Sequence, residues 1–197
     1  ENLNDIGKRK NILRVQRPIE TELLHPLVRG RDVSKWSATA SCQIILSQDP
    51  KSREGIDLGA MRKRYPCALE YFLLFETELR KRKSSSVRRL MERGAFYSMF
   101  AVGEDTMFPY KVVWKDMGRT IISAVVSIEG GCLPLPEHHV MFVGTEDERE
   151  AHYLCAVLNS SLCRLVVSSY TTTTGISTHV FDFIRVPRFR QDDKTHL

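Results

Sequence analysis

The sequence predicts a mixed α/β (α+β) fold in a single domain, with a central twisted sheet, mostly antiparallel or mixed, and flanking helices. Three observations carry that expectation. Apolar residues at helical spacing fill much of 56–83 and 145–170, short β-branched runs occupy 96–144, and Gly and Pro punctuate the runs. With 197 residues, 42% of them hydrophobic, the chain can build one sizeable core.

Residues 1–20 are polar, lack a clear period and end in RPIE, so they read as a lead-in segment. The chain opens ENLNDIGKRKN without a Met, and the expectation is a piece of a longer protein. The main domain is placed at 20–190 and a polar tail at 191–197. TELLHPLVRGRDVSKW (21–36) starts as a helical turn, breaks at His25-Pro26 and turns at Gly30; QIILS (43–47) reads as a strand. From Ile56 to Lys83, Leu69, Phe72, Leu73, Phe75 and Leu79 make one apolar stripe, with Pro66 in the first turn of that helix. FYSMF (96–100), YKVVW (110–114), TIISAVVS (120–127) and HVMFVG (139–144) read as strands. Thr145 and Glu148 suggest a capping box that opens EREAHYLCAVLNS, with Asn159 ending the helix. A second apolar stretch follows at 161–170, and a final strand is expected at 180–186, halted by Pro187.

Charge is concentrated. The chain holds 29 Lys/Arg against 24 Asp/Glu, net +5, while LRKRKSSSVRRLMERG (79–94) alone holds seven Lys/Arg and one Glu, net +6. The other residues therefore sum to −1. Five dispersed cysteines without a C-x-x-C pair imply reduced thiols and a cytoplasmic setting, with Cys155 and Cys163 as core residues. No apolar run reaches the ~18 residues of a membrane span.

Catalytic signatures are absent. There is no phosphate-binding loop, dinucleotide fingerprint or nucleophile elbow. His138 and His139 would point to opposite faces of a strand, and with Cys132 they do not complete four metal ligands. The expectation is no catalytic, cofactor or metal site in this chain.

Binding chemistry is better represented. In the basic block, Arg80, Lys81, Arg82, Lys83 and Arg88 look largely unpaired at i,i+4, and arginine forks suit phosphate and guanine. Ser84, Ser85 and Ser86 add short hydroxyl donors. Arg29, Arg31 and Lys35 with Trp36 form a second basic-aromatic cluster, and Tyr110, Lys111, Trp114 and Lys115 a third. The Thr171–Thr174 run with Thr178 and His179 offers donors and acceptors to backbone and bases.

GRDVSKW, FYSMF…FPYKVVW, EAHYLCAVLNSS and GISTHVFDFIRVPRF occur in this order. Together they resemble the TaqI-like C-terminal specificity (target-recognition) domain of adenine-specific DNA methyltransferases, including restriction-modification proteins that fuse methylase and specificity regions. The resemblance covers roughly 20–190. It implies a domain that binds double-stranded DNA and positions it for an N-terminal methyltransferase domain of the same parent chain. That domain would bind S-adenosylmethionine and flip the target adenine. No Pro-Pro pair of the methylase motif occurs here, so the chain itself is expected to be no enzyme and to bind no cofactor. On this reading the 80–93 block lies along DNA phosphates, while Arg31, Lys111, Thr172, Thr174, Thr178 and His179 read sequence. Two alternatives remain: a module that docks methylase or nuclease subunits, or a metal-dependent nuclease using Asp105, Asp116 or Glu137.

Overall fold

Short strands come first, helices second, and then strands and helices again. The computed structural model describes residues 1–2, 12–170, 175–176 and 178–192. The strands β1 (Leu24–Val28), β2 (Val33–Ser34), β3 (Ser37–Ala38), β4 (Cys42–Ile45), β5 (Gln48–Asp49) and β6 (Glu54–Gly55) lead into four helices. These are α1 (Leu58–Arg64), α2 (Pro66–Leu74), α3 (Glu76–Arg80) and α4 (Ser85–Arg93). Strands β7 (Tyr110–Lys115), β8 (Ser123–Ser127), β9 (Leu135–Pro136) and β10 (Val140–Thr145) follow, then α5 (Glu148–Asn159) and α6 (Ser161–Tyr170). The class is mixed α/β, with the strands shared among several small sheets. Two compact units emerge: Glu1–Leu24 with Ile45–Phe100, and His25–Ile44 with Ala101–Leu197.

The first unit is built on helices. The helix expected over 56–83 is divided into three. Tyr65 precedes Pro66, and the residue before proline is pushed out of helical space; its φ/ψ of −135°/57° ends α1. Pro66 then takes the first position of α2, where its missing N–H costs nothing. Asp57 caps α1 by accepting from the Gly59 and Ala60 amides at 2.8 and 3.1 Å. The α2 amides of Cys67 and Ala68 are capped from far away in sequence, by the Glu20 carboxylate at 2.8 and 2.9 Å. Burial pushes the Glu20 carboxyl up, but these backbone donors outweigh it and leave it below its ordinary value.

Leu23, Met61, Tyr65, Ala68, Leu69, Phe72, Phe96 and Tyr97 form this unit's core. Of the expected stripe, Leu69 and Phe72 are buried whereas Leu73 is exposed. FYSMF is not a strand. Phe96, Tyr97 and Ser98 are all buried, and the segment is a turn with Ser98 N–H donating to Ala95 O at 3.0 Å rather than to a neighbouring strand.

The second unit centres on an antiparallel sheet of order β10-β7-β8, with α5 packed on β7 and β8. One core joins Val112, Trp114 and Ile121 to Ala151, Cys155, Leu158 and Val167. A second joins Val113, Ala124, Val126 and Val140 to Val28 and Val33. Strand β7 is thus buried on both faces. Beside it runs a smaller sheet, β4-β1-β9, in which β1 and β9 are parallel. Here His25-Pro26 is strand rather than a break, while the turn at Gly30 is a 3₁₀ turn, Gly30–Asp32.

Three further differences concern α5, α6 and the C-terminal stretch. Asp147, not Thr145, caps α5; its Oδ1 accepts from Arg149 N–H at 2.8 Å, while Thr145 Oγ1 binds Glu150 and accepts from Asp147 N–H. Asn159 ends α5 as expected, and it also acts as an artificial strand partner. Its Nδ2 donates to Ser123 O at 2.8 Å and its Oδ1 accepts from Ser123 N–H at 3.0 Å. The expected final strand is instead a 3₁₀ helix over Thr178–Phe183, where Phe181 packs edge-on against Trp114.

Candidate nucleic-acid interface

The basic block does not act as one surface. Arg80 pairs with Glu76 four residues back, Nη2 to Oε1 at 2.7 Å, and its guanidinium lies 5.2 Å over the Phe96 ring. Lys81 pairs with Glu78 at 2.8 Å. The expectation of unpaired charges is corrected at both. Arg82 departs further, because it is half-buried and its fork holds the chain together. It donates from Nε to Leu79 O at 2.9 Å, from Nη1 to Ser98 O at 2.8 Å and from Nη2 to Phe96 O at 2.5 Å. The Phe96 and Ser98 carbonyls belong to the turn that replaces the expected strand, and the fork supplies them the donors that a sheet would have provided, while Leu79 O lies in α3. Burial lowers the Arg82 pKa, but a guanidinium stays charged.

The rest of the block faces solvent. Lys83 and Ser84 are exposed, as are Arg88, Arg89 and Arg93 on α4, while Val87, Leu90 and Met91 on its other side are partly buried. Among the described residues no carboxylate lies within ion-pair distance of these four cations. Arg62, Lys63 and Arg64, in the last turn of α1, are a basic group not singled out from the sequence. They complement the negative end of the helix dipole, and Arg64 lies 5.1 Å over the Tyr65 ring. Three adjacent cations in a helical stretch were the available signal.

In the second unit the sequence-chosen residues divide again. Arg29 is mostly internal. Its backbone N–H and guanidinium face Asp32 at 2.9 and 3.6 Å, and Nη2 donates to Ser41 Oγ. The side chain is only 12% exposed, and Nε and Nη1 are buried without a hydrogen-bond partner. Lys111 is fully buried, at 0% exposure, so it is removed from the reading surface. Its Nζ donates to Phe108 O at 2.7 Å, and burial pushes its pKa down to about 8. Spacing placed Lys111 and Val113 on one face of β7, but that face packs against a second core.

Arg31 and Lys35 remain exposed. Lys35 sits with Trp36 at the turn of the β2–β3 hairpin, its Nζ 5.3 Å from the Trp36 ring centre. Thr178 and His179 are exposed, with His179 Nδ1 3.4 Å from Asp182 Oδ2. Thr172 and Thr174 lie outside the described residues.

Of the groups considered for hydrolysis, Asp116 and Glu137 lie beside two adjacent histidines, and Asp105 lies elsewhere. His138 and His139 occupy a turn rather than a strand, and their ring centres are 3.8 Å apart instead of on opposite faces. Each faces its own carboxylate: His138 with Glu137 at 3.8 Å, His139 with Asp116 at 2.8 Å. Asp105 lies in a separate 3₁₀ turn, Glu104–Met107. Among the described residues no three His, Cys, Asp or Glu side chains gather as a metal site. A cleft of about 210 Å³ in the second unit is lined by Pro26, Val28, Ala38 and Val125, with Glu129 the charged group at its wall. No helix in the described residues is long and apolar enough to cross a membrane. No protein-family model matches the chain, and no curated protein shows significant similarity to it.

Proposed function

We propose that the chain is a DNA sequence-recognition domain of a bacterial restriction-modification adenine methyltransferase, acting in the cytoplasm. It would hold duplex DNA for a methyltransferase domain that binds S-adenosylmethionine and performs the reaction; this chain itself would catalyse nothing. The observation that carries DNA binding is the exposed cationic face of Lys83, Arg88, Arg89 and Arg93 on and before α4, where four cations outnumber one exposed carboxylate, Glu92, and none is ion-paired among the described residues. Such a face attracts phosphates and gains entropy from released counterions. The order of four sequence segments, described above, is what points to the specificity domain.

Fluorescence anisotropy with a labelled mixed-sequence duplex, titrated from low to physiological salt, tests the reading. Affinity should fall steeply with salt. Replacing Lys83, Arg88, Arg89 and Arg93 by Ala should weaken binding to all sequences alike and flatten the log–log salt slope by up to about 3.6. Salt-independent or absent binding would sink the proposal.

A second reading has its own support. On α6, Leu162 and Leu165 are 73% and 64% exposed and lie three residues apart, a small apolar stripe suited to docking another protein subunit. Binding to a methylase or nuclease subunit without DNA affinity would favour that reading.

A further inference from the structure

Trp36 combines properties that core packing does not require. It is 56% exposed, and its φ is +72°, a left-handed conformation that bulky side chains avoid and glycine accepts. It occupies the second turn position of the β2–β3 hairpin, which pairs Val33 with Ala38 and Ser34 with Ser37. A glycine there would be the unstrained choice.

The backbone is nonetheless pinned. Trp36 N–H donates to Ser123 O at 2.9 Å, and Ser123 is fully buried. The same carbonyl accepts from Asn159 Nδ2 at 2.8 Å, and Ser123 Oγ donates to Cys155 O at 3.3 Å. The tip is therefore fastened to the packed junction of β8 and α5, which presents the indole outward on a rigid base. Lys35 places a cation 5.3 Å from the ring centre, and Arg31 is also exposed shortly before the hairpin.

We infer that the Lys35–Trp36 hairpin tip is a nucleobase-stacking element, with the Trp36 indole against an exposed base face and Lys35 on a neighbouring phosphate. The inference rests on the DNA-binding reading and assigns a role to a residue outside the cationic face of α4. An aromatic plane fits any base, and a flanking ammonium fits the phosphate that accompanies it. An apolar protein patch would gain nothing from a lysine held over the ring. Local strain at an exposed, anchored aromatic is the kind of cost that a binding role offsets.

The chain carries its own reporter. Its other tryptophan, Trp114, is fully buried, donates from Nε1 to Ile176 O at 3.1 Å and packs edge-on against Phe181. Quenching on contact with DNA would therefore arise from Trp36. The experiment follows tryptophan emission and the anisotropy of a fluorescein-labelled 20-base-pair duplex in one titration, then repeats it with the duplex gapped by one nucleotide. Wild type should lose emission in step with the anisotropy rise and bind the gapped duplex more tightly.

Trp36→Gly relieves the backbone conformation and should fold. It should abolish the emission change and weaken binding on the order of tenfold, whereas Trp36→Phe should retain most of the affinity. Normal anisotropy with unchanged Trp36 emission, or equal binding by Trp36→Gly, overturns the stacking role while leaving DNA binding intact. Equal affinity of Trp36→Leu and Trp36→Phe overturns stacking in favour of plain apolar contact. No anisotropy change at low salt overturns both this inference and the reading beneath it.

Discussion

The two units carry different charge and handle a buried cation differently. The first holds 17 Lys/Arg against 11 Asp/Glu, net +6, and the second 12 against 13, net −1. Yet each withdraws cations that looked, from sequence, like DNA contacts: Arg82 in the first, Arg29 and Lys111 in the second. In the first unit Arg82 spreads its charge over three carbonyl oxygens, those of Leu79, Phe96 and Ser98. In the second, Lys111 has one carbonyl partner, Phe108 O, and is more deeply buried. Desolvation is offset where a planar fork meets several acceptors and is poorly offset where an ammonium meets one. Arg82 should therefore stabilise its unit, and Lys111 should cost stability.

The largest expected effect tests the first half of that contrast. Arg82→Ala leaves the Phe96 and Ser98 carbonyls without their charged donors and should destabilise the protein by about 2–4 kcal/mol in urea unfolding. Arg82→Lys keeps the charge but loses the fork, and should recover less than half. The quadruple Ala variant at Lys83, Arg88, Arg89 and Arg93 should stay within about 1 kcal/mol of wild type, because those groups are exposed. If Arg82→Ala proved as mild as the quadruple variant, the division of the basic block into brace and surface would be wrong.

Lys111→Met tests the second half and should change stability in the other direction. Its folded pKa is about 8 against the ordinary 10.5, so below about pH 8 the folded state must hold a desolvated charge. Between those values the unfolded chain binds more protons, so the stability of the wild type rises with pH. At pH 7 Lys111→Met should be more stable by about 1–3 kcal/mol, after loss of the Phe108 hydrogen bond. That advantage should shrink from pH 8 to 10.5. A destabilised variant, or a gain that does not change with pH, would mean that Lys111 is better compensated than its single carbonyl suggests.

Legibility from the sequence follows the range of the interactions. Pro66 at the start of α2, strands β7, β8 and β10, and the end of α5 at Asn159 were all readable, since each depends on neighbours a few residues away. Arg82 was not, because its acceptors at Phe96 and Ser98 lie 14 and 16 residues onward and no periodicity connects them. The same holds for Glu20, which caps α2 across 47 residues from the segment read as a lead-in. Lys111 failed for a different reason. Alternation correctly separated the two faces of β7 but could not reveal that both are covered. For the candidate interface, the density of basic residues was legible, and the Glu76–Arg80 and Glu78–Lys81 pairs are also local in sequence, while the withdrawal of Arg82 was set by tertiary contacts. Trp36 stood out only as an aromatic near lysine; its left-handed φ and its anchor to Ser123 belong to the folded chain.

The smallest effect separates the exposed ion pairs of the two units. Arg80–Glu76 in the first joins two residues four apart on one helical stretch. In the second, the hydrogen bond that the Asp116 carboxylate accepts from His139 Nδ1, at 2.8 Å, holds the imidazole above its ordinary 6.5. A histidine whose folded pKa is raised contributes fully below its unfolded value and loses that contribution as pH rises through the folded one. Because His139 is about half exposed, the contribution should be under about 0.5 kcal/mol, best read by NMR titration of its ring protons rather than by unfolding. Asp116→Asn should bring the midpoint back toward 6.5 and erase that pH dependence. The Asp116 N–H bond to His139 O at 3.0 Å should survive, since it belongs to the backbone. An unshifted midpoint in Asp116→Asn would assign the rise to Glu137 instead, the next carboxylate acting on this ring.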